Sequence, residues 1–188
     1  KKAQKMLGSS ARLYLKMTGV KVDLKNGLDH VGPCLVVCNH ASSLDPVILS
    51  AIFPRSVKFL VAPWIADHPL FKHLIARLGH LPVHRGDPDT AKAQEEEIRA
   101  MLDGEDCLAA FPEGGLEVTP GLRPFALGVF RVAIEAGVPV VPVALKGVRG
   151  VQPWPHMIPF QGNVTATIGP PMRAKGDEWE DLVDLAAR

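Results

Sequence analysis

Short apolar runs recur along this chain at Cys34 to Cys38, Lys58 to Ala62, Leu81 to His84, Cys107 to Phe111 and Val138 to Leu145, and helix-like stretches fill the gaps. Each run is β-branched or bounded by glycine and proline, as strands buried inside a sheet are. Few architectures satisfy this alternation. It predicts an α/β fold: a single layered domain with a mostly parallel central sheet flanked by helices. At 188 residues the chain is long enough to bury a self-sufficient core.

Helix boundaries carry their own signals. Asp45 and Pro46 read as an N-cap and first-position pair, His68 and Pro69 open a stretch closed by Gly79, and Thr90 opens one closed by Gly104. Pro124 and Phe125 open another, closed by Gly137. Beyond residue 146 the pattern thins to a proline-rich loop, a strand near Val164 to Ile168 and a terminal helix from Asp177; this tail is expected to close the sheet edge.

Residues 1–20 form a segment apart from the domain proper at 21–188. At about 100° per residue, Lys1, Lys2, Lys5, Arg12 and Lys16 share one sector of roughly 100°, with Met6, Leu7, Leu13, Tyr14 and Met17 on the other side. Such a helix can lie on an anionic membrane surface or dock on its own domain, and the two are compatible.

Composition closes several classes. Hydrophobic residues make up 47% and charged residues 22%, with a formal net charge of +1, which excludes a disordered chain and a strongly basic nucleic-acid binder. Cys34, Cys38 and Cys107 are odd in number and form no CxxC pair, so neither a disulfide framework nor a zinc ribbon is expected, and a reducing compartment is. Cys34 and Cys38, with Val36 between them, read as small core residues on one strand face. His73, His80 and His84 lack a second cluster of ligands and read as surface or groove residues, so no metal site is expected. The uncharged stretch Val151 to Met172 is interrupted by Pro153, Pro155 and Pro159 and cannot span a bilayer as a regular helix. The chain opens at Lys1 without a signal-peptide pattern, as a domain cut from a longer protein would.

The sharpest chemical feature is Asn39-His40-Ala41-Ser42-Ser43-Leu44-Asp45, which leaves a buried strand and runs into a helix. Open α/β sheets place reactive groups at such carboxyl ends. His40 can exchange a proton near neutral pH, and Asp45 can hold its other ring nitrogen and stabilise the imidazolium. The same residues also describe a helix cap and an ordinary loop histidine. Phe111-Pro112-Glu113-Gly114-Gly115 exposes backbone amides suited to an anion or a developing oxyanion. Gly79 to Arg85 ends a strand with an arginine suited to phosphate or carboxylate. Ser42 and Ser43 lack a GxSxG elbow, so a serine nucleophile is not supported.

In this order the segments resemble the glycerolipid acyltransferase family that includes 1-acylglycerol-3-phosphate acyltransferases. Its NHxxxxD, GxxxxxR, FPEG and Val-Pro-rich motifs correspond to Asn39 to Asp45, Gly79 to Arg85, Phe111 to Gly114 and Val138 to Val143. The resemblance covers about residues 12 to 172. It implies transfer of a fatty acyl group from an acyl thioester, either acyl-CoA or acyl carrier protein, to a hydroxyl of a lysophospholipid or glycerol-phosphate-like acceptor in phospholipid biosynthesis or remodelling.

On that resemblance His40 is the base and Asp45 its orienting partner. Asn39, Arg85, Glu113, Gly114, Gly115 and Arg123 hold substrate, and no metal or resident cofactor is required. The expected location is cytoplasmic and peripheral on the membrane surface. Phe59, Leu60, Trp64, Ile65, Leu70 and Phe71 are candidates for an acyl groove.

Departures from the family pattern bear on the acceptor. Where the family continues FPEG with Thr-Arg-Ser, this chain has Gly115, Leu116 and Glu117; Pro63 stands where a lysine is common, and Ala126 and Leu127 replace two lysines. Arg123 or Arg131 is the candidate substitute. With Pro63 and Leu116 in those places, an acceptor whose phosphate is esterified or absent is expected to be preferred over lysophosphatidate. The alternative to an enzyme is a catalytically altered lipid or acyl-carrier binding module within a larger protein.

Overall fold

In the computed structural model, residues 2–27, 32–69, 71–84, 88–104, 106–116 and 123–174 are described. The elements run α1 (Lys2–Met17), β1 (Val20–Lys25), β2 (Leu35–Cys38), α2 (Asp45–Ile52), β3 (Val57–Val61), α3 (Pro63–Ala66), α4 (Lys72–Leu78), β4 (Leu81–Pro82), α5 (Pro88–Leu102), β5 (Cys107–Ala110), α6 (Gly128–Glu135), β6 (Val140–Lys146), α7 (Val148–Val151) and β7 (Gly162–Ile168). The expected strands are present within a few residues of their predicted limits. The terminal helix expected from Asp177 lies outside the described residues.

The strands form one seven-stranded sheet in the order β1-β7-β6-β2-β5-β3-β4. Every pair is parallel except β6 with β7. The expected mostly parallel sheet is thus found, but β7 does not close its edge. That place belongs to β1, which pairs with β7 from Val20↔Gly162 to Lys25↔Thr167 and which the sequence reading had not identified as a strand. Only Val20 of β1 is buried, so the strand lacks the apolar run that marks the others.

At the centre, β2 is buried on both faces, and its alternating side chains feed two cores. Cys34, Val36 and Cys38 join α1 and α2 on one face, bearing out their reading as core residues. Leu35 and Val37 join Ile98 and Leu102 of α5 and Phe130, Val132 and Ala133 of α6 on the other. The turn leaving β2 therefore starts from a strand buried on both faces.

Helix α1 packs on α2 through Ala11 and Leu15, a face that the basic and apolar sectors of the sequence left unmarked. The approach is close: a Cβ at Gly8 would lie 3.0 Å from the Ser50 carbonyl oxygen. Arg12, counted in the basic sector, donates from Nη1 to the Ala51 carbonyl at 3.0 Å and ties α1 to the last turn of α2. Met6, Leu13 and Met17 remain 65%, 58% and 77% exposed. One face of the helix is thus docked and a separate apolar face is open to solvent. Among the described residues no helix is long and apolar enough to cross a membrane.

His80 follows the left-handed cap at Gly79 and accepts the Phe59 amide proton on Nδ1 at 3.2 Å, its ring edge-on to Phe59. Burial first, and the Lys58 ammonium second, lower its pKa from the ordinary value of 6.5 to about 4. The unfolded chain therefore takes up this proton before the folded one does, so the contribution to stability is complete above about pH 6.5 and is lost as pH falls toward 4. Chemical denaturation should show a loss on the order of 2 kcal/mol between pH 7.5 and pH 5 from this group. His80→Asn, which keeps an acceptor near Nδ1 and cannot titrate, should flatten that part of the profile.

Candidate active site

Strands β2, β5 and β6 are neighbours, and their carboxyl ends release His40, Phe111 and Lys146 on one side of the sheet. A cavity of about 240 Å³ opens there, lined by Asn39, His40, Ala41, Glu113, Leu145, Lys146, Gly147, Val148 and Arg149. This is the crevice position at which open α/β sheets bind ligands.

Asp45 organises the turn. It is 0% exposed. Its Oδ2 accepts the Ala41 amide at 2.7 Å and the Ser42 amide at 2.8 Å, and lies 2.9 Å from His40 Nδ1. The sequence suggested a helix N-cap. Instead Asp45 is the first residue of α2, the cap position is Leu44 at φ −78°, ψ −20°, and the Asp45 side chain makes no cap bond. Its carboxylate faces back over the preceding turn, where the donors converge. With Nδ1 committed to Asp45, Nε2 is the imidazole nitrogen left to accept a proton from a ligand. The ring stacks on Phe111 with centroids 3.9 Å apart and planes 16° apart, a support the sequence reading missed although Phe111 opens the FPEG segment.

Asn39 and Glu113 brace the site. The Asn39 side chain donates to the Leu145 carbonyl at 3.0 Å and accepts the Leu145 amide at 2.8 Å, joining the ends of β2 and β6. Glu113, buried, accepts the His40 amide on Oε1 and the Arg123 amide on Oε2, each at 3.1 Å. Both residues line the cavity while these polar atoms serve the scaffold. Gly114 donates to the Phe111 carbonyl at 3.0 Å, which leaves Gly115 as the other amide of the glycine pair.

Other expected residues fall differently. Arg85 lies outside the described residues, as does Leu70. Arg123 contributes its main chain to Glu113, and its side chain is exposed. Arg131, a candidate substitute cation, sits on α6 and bonds Glu95, with Glu135 at 3.9 Å, so its charge is already engaged. Phe59 is a core residue, whereas Trp64 and Phe71 are exposed. All three cysteines are free and buried. Burial, together with the nearby Asp45 and Glu113 carboxylates, raises the Cys38 pKa well above the ordinary thiol value, so this thiol stays protonated. Among the described residues no group of three or more His, Cys, Asp or Glu could hold a metal ion.

Sequence reasoning missed two further features. Lys146 and Arg149 line the cavity, and their only sequence signal is a Lys-Gly-Val-Arg step directly after the Val-Pro-rich strand. Gln152 is buried, and its Oε1 accepts from Ser42 Oγ at 2.5 Å and from Ser43 Oγ at 3.1 Å. Both serine hydroxyls are thereby held as structural donors.

Asn39→Ala strips a donor and an acceptor from the Leu145 backbone. It should destabilise the fold by about 2 to 4 kcal/mol in denaturant titration, since each buried backbone group left unpaired costs about 1 to 3 kcal/mol.

Comparison with known proteins identifies the family and the fold. A family model described as Acyltransferase matches residues 19–146. The 1-acyl-sn-glycerol-3-phosphate acyltransferase of Haemophilus influenzae is 30% identical over 188 residues, covering 94% of this chain and 73% of that protein. The protein of the same name from Cocos nucifera is 28% identical over 156 residues, covering 78% of this chain and 47% of that one. This chain spans about half the length of several curated relatives it matches. The crystal structure of the 1-acyl-sn-glycerophosphate (LPA) acyltransferase from Thermotoga maritima superposes with a TM-score of 0.79, covering 98% of this chain and 75% of that chain at 19% identity, a likeness of fold.

Proposed function

Because this chain belongs to the Acyltransferase family, matched over residues 19–146, we propose that it moves a fatty acyl group from an acyl thioester to a hydroxyl of a lysophospholipid or glycerol-phosphate-like acceptor. The observation that carries the reading is the contact of 2.9 Å between His40 Nδ1 and Asp45 Oδ2 at the edge of the cavity. The donor is acyl-CoA or acyl carrier protein, and both substrates are bound together.

His40 Nε2 takes the proton of the acceptor hydroxyl as its oxygen attacks the thioester carbonyl. Asp45 holds the ring in place and stabilises the imidazolium that forms. Collapse of the tetrahedral intermediate breaks the carbon–sulfur bond, and the imidazolium returns the proton to the departing thiolate. The Gly115 amide is the candidate donor to the oxyanion. Phe111 backs the ring against displacement, and no metal enters the scheme.

General-base catalysis typically supplies about 10² to 10⁴ in rate. His40→Ala should therefore lower kcat by that order, and Asp45→Asn should lose most of the same factor, with unchanged circular dichroism confirming the fold. The assay is release of free thiol from an acyl thioester with and without lysolipid. An acyl-serine trapped at Ser42 or Ser43 would sink the direct-transfer scheme. A wild-type chain that binds the thioester yet releases no thiol would be a binding module instead.

The same proposal places the protein peripherally on a cytoplasmic membrane surface through α1, with exposed Met6, Leu13 and Met17 beside the basic sector. Co-sedimentation with anionic vesicles should fall as salt rises to about 0.5 M, where the screening length shrinks to a few ångströms. A triple Met6→Ser, Leu13→Ser, Met17→Ser variant should bind weakly at any salt. Binding that ignores both changes would point to another surface.

A further inference from the structure

One wall of the cavity beside His40 is the segment Lys146 to Arg149. We propose that Lys146 and Arg149 form a phosphate-binding pair for a phosphate monoester carried by one of the two substrates. This deepens the acyltransferase reading and rests on it for the identity of the substrate.

Local structure sets the pair in place. Strand β6 ends at Lys146, and Gly147 takes φ +89°, where a Cβ would lie 3.0 Å from the Asn163 carbonyl oxygen. Only glycine adopts this turn without strain. The turn sends Val148 into the core, buried with the α1 and α2 cluster, while Lys146 and Arg149 on either side of it both reach the cavity. The two Asn39 bonds to Leu145 then lock the residue before Lys146 to the residue before His40. The cations and the imidazole are thereby held on one rigid frame.

The site holds two cations, Lys146 and Arg149, and two carboxylates, Asp45 and Glu113, and the two signs are placed differently. Its carboxylates are turned to the scaffold: Asp45 Oδ2 meets the His40 ring and the Ala41 and Ser42 amides, and Glu113 takes the His40 and Arg123 amides. Among the described residues lining the cavity, Lys146 and Arg149 carry the permanent positive charges. A planar guanidinium can take two phosphate oxygens and an ammonium a third. Two basic positions of the resembling family are Pro63 and Leu116 here, and Arg131 is held by Glu95 and Glu135. The Lys146–Arg149 pair brings positive charge to the cavity from the end of β6. Where the acceptor carries that phosphate, lysophosphatidate is accepted, against the expectation drawn from Pro63 and Leu116 alone.

The test compares Lys146→Gln, Arg149→Gln and the double variant in the full chain, with Lys92→Gln on α5 as a control of equal charge change. Acceptors are lysophosphatidate and monoacylglycerol; donors are an acyl-CoA and the corresponding acyl N-acetylcysteamine thioester, all at one ionic strength. Each single substitution should raise KM for a phosphate-bearing substrate by about 10- to 100-fold and leave KM for its phosphate-free counterpart within twofold. Whether the acceptors or the donors separate identifies which phosphate is bound. KM values that move together, or not at all, overturn the pair. Calorimetric titration with glycerol 3-phosphate and with CoA gives a readout without turnover, and the double variant should lose binding of one of them. If acyl transfer occurs and both measurements ignore the substitutions, the pair fails and the acyltransferase reading stands. If the pair binds either probe and no acyl group is transferred, the acyltransferase reading fails and the pair stands.

Discussion

A carboxylate taken wholly out of water has to be matched by donors, and Asp45 is such a carboxylate. Two amides and an imidazole converge on one of its oxygens, so the turn from Asn39 to Asp45 folds around that atom. Removing the charge would leave the Ala41 and Ser42 amides competing for a weaker acceptor, and His40 would lose the contact that selects its tautomer. The helix start at Asp45 and the reactive face of His40 are consequences of the same group. This is why the motif spans a fixed number of residues: a longer or shorter turn would not return the main-chain amides to the carboxylate.

The frame around that turn is made by side chains reaching main chain on neighbouring strands. Asn39 binds Leu145 at the end of β6, and Glu113 links the segment after β5 to both His40 and Arg123. Gln152, just past α7, holds Ser42 and Ser43 from the other side and donates to the Met157 carbonyl at 2.9 Å. The carboxyl ends of three adjacent strands thus become one rigid unit, as a reacting group needs when displacement by an ångström costs rate.

Much of this was legible in the sequence because the central strands are buried on both faces and so read as unbroken apolar runs. His40 and Asp45 were legible because their chemistry constrains residue type and spacing. β1 was not, since an edge strand with one buried residue does not stand out from a polar loop. The docking face of α1 was hidden for a related reason: close packing selects small residues, and Gly8 and Ala11 carry little hydrophobic signal. Asp45 looked like a cap because cap and imidazole partner require the same side chain just before a proline. Lys146 and Arg149 escaped notice because a cation after a strand usually faces solvent, and only the turn at Gly147 aims both at the cavity.

The size of the cavity has a consequence for how a lipid would be handled. At about 240 Å³ it is below the range of pockets that enclose drug-sized ligands, so it suits a headgroup and the reacting atoms. A fatty chain left in water would cost about 0.8 kcal/mol for each methylene, far more than the polar contacts at His40 offset. On the proposed reaction the chain therefore has to rest on apolar surface outside the cavity. Exposed Trp64, Phe71 and Leu74 on and beside α3 and α4, and Trp154, Ile158 and Phe160 in the loop after α7, offer such surface, as does the open face of α1. A protein with a formal charge of +1 gains little from long-range attraction to lipid. On the proposed membrane attachment, that task falls to local apolar contact and the local basic sector of α1.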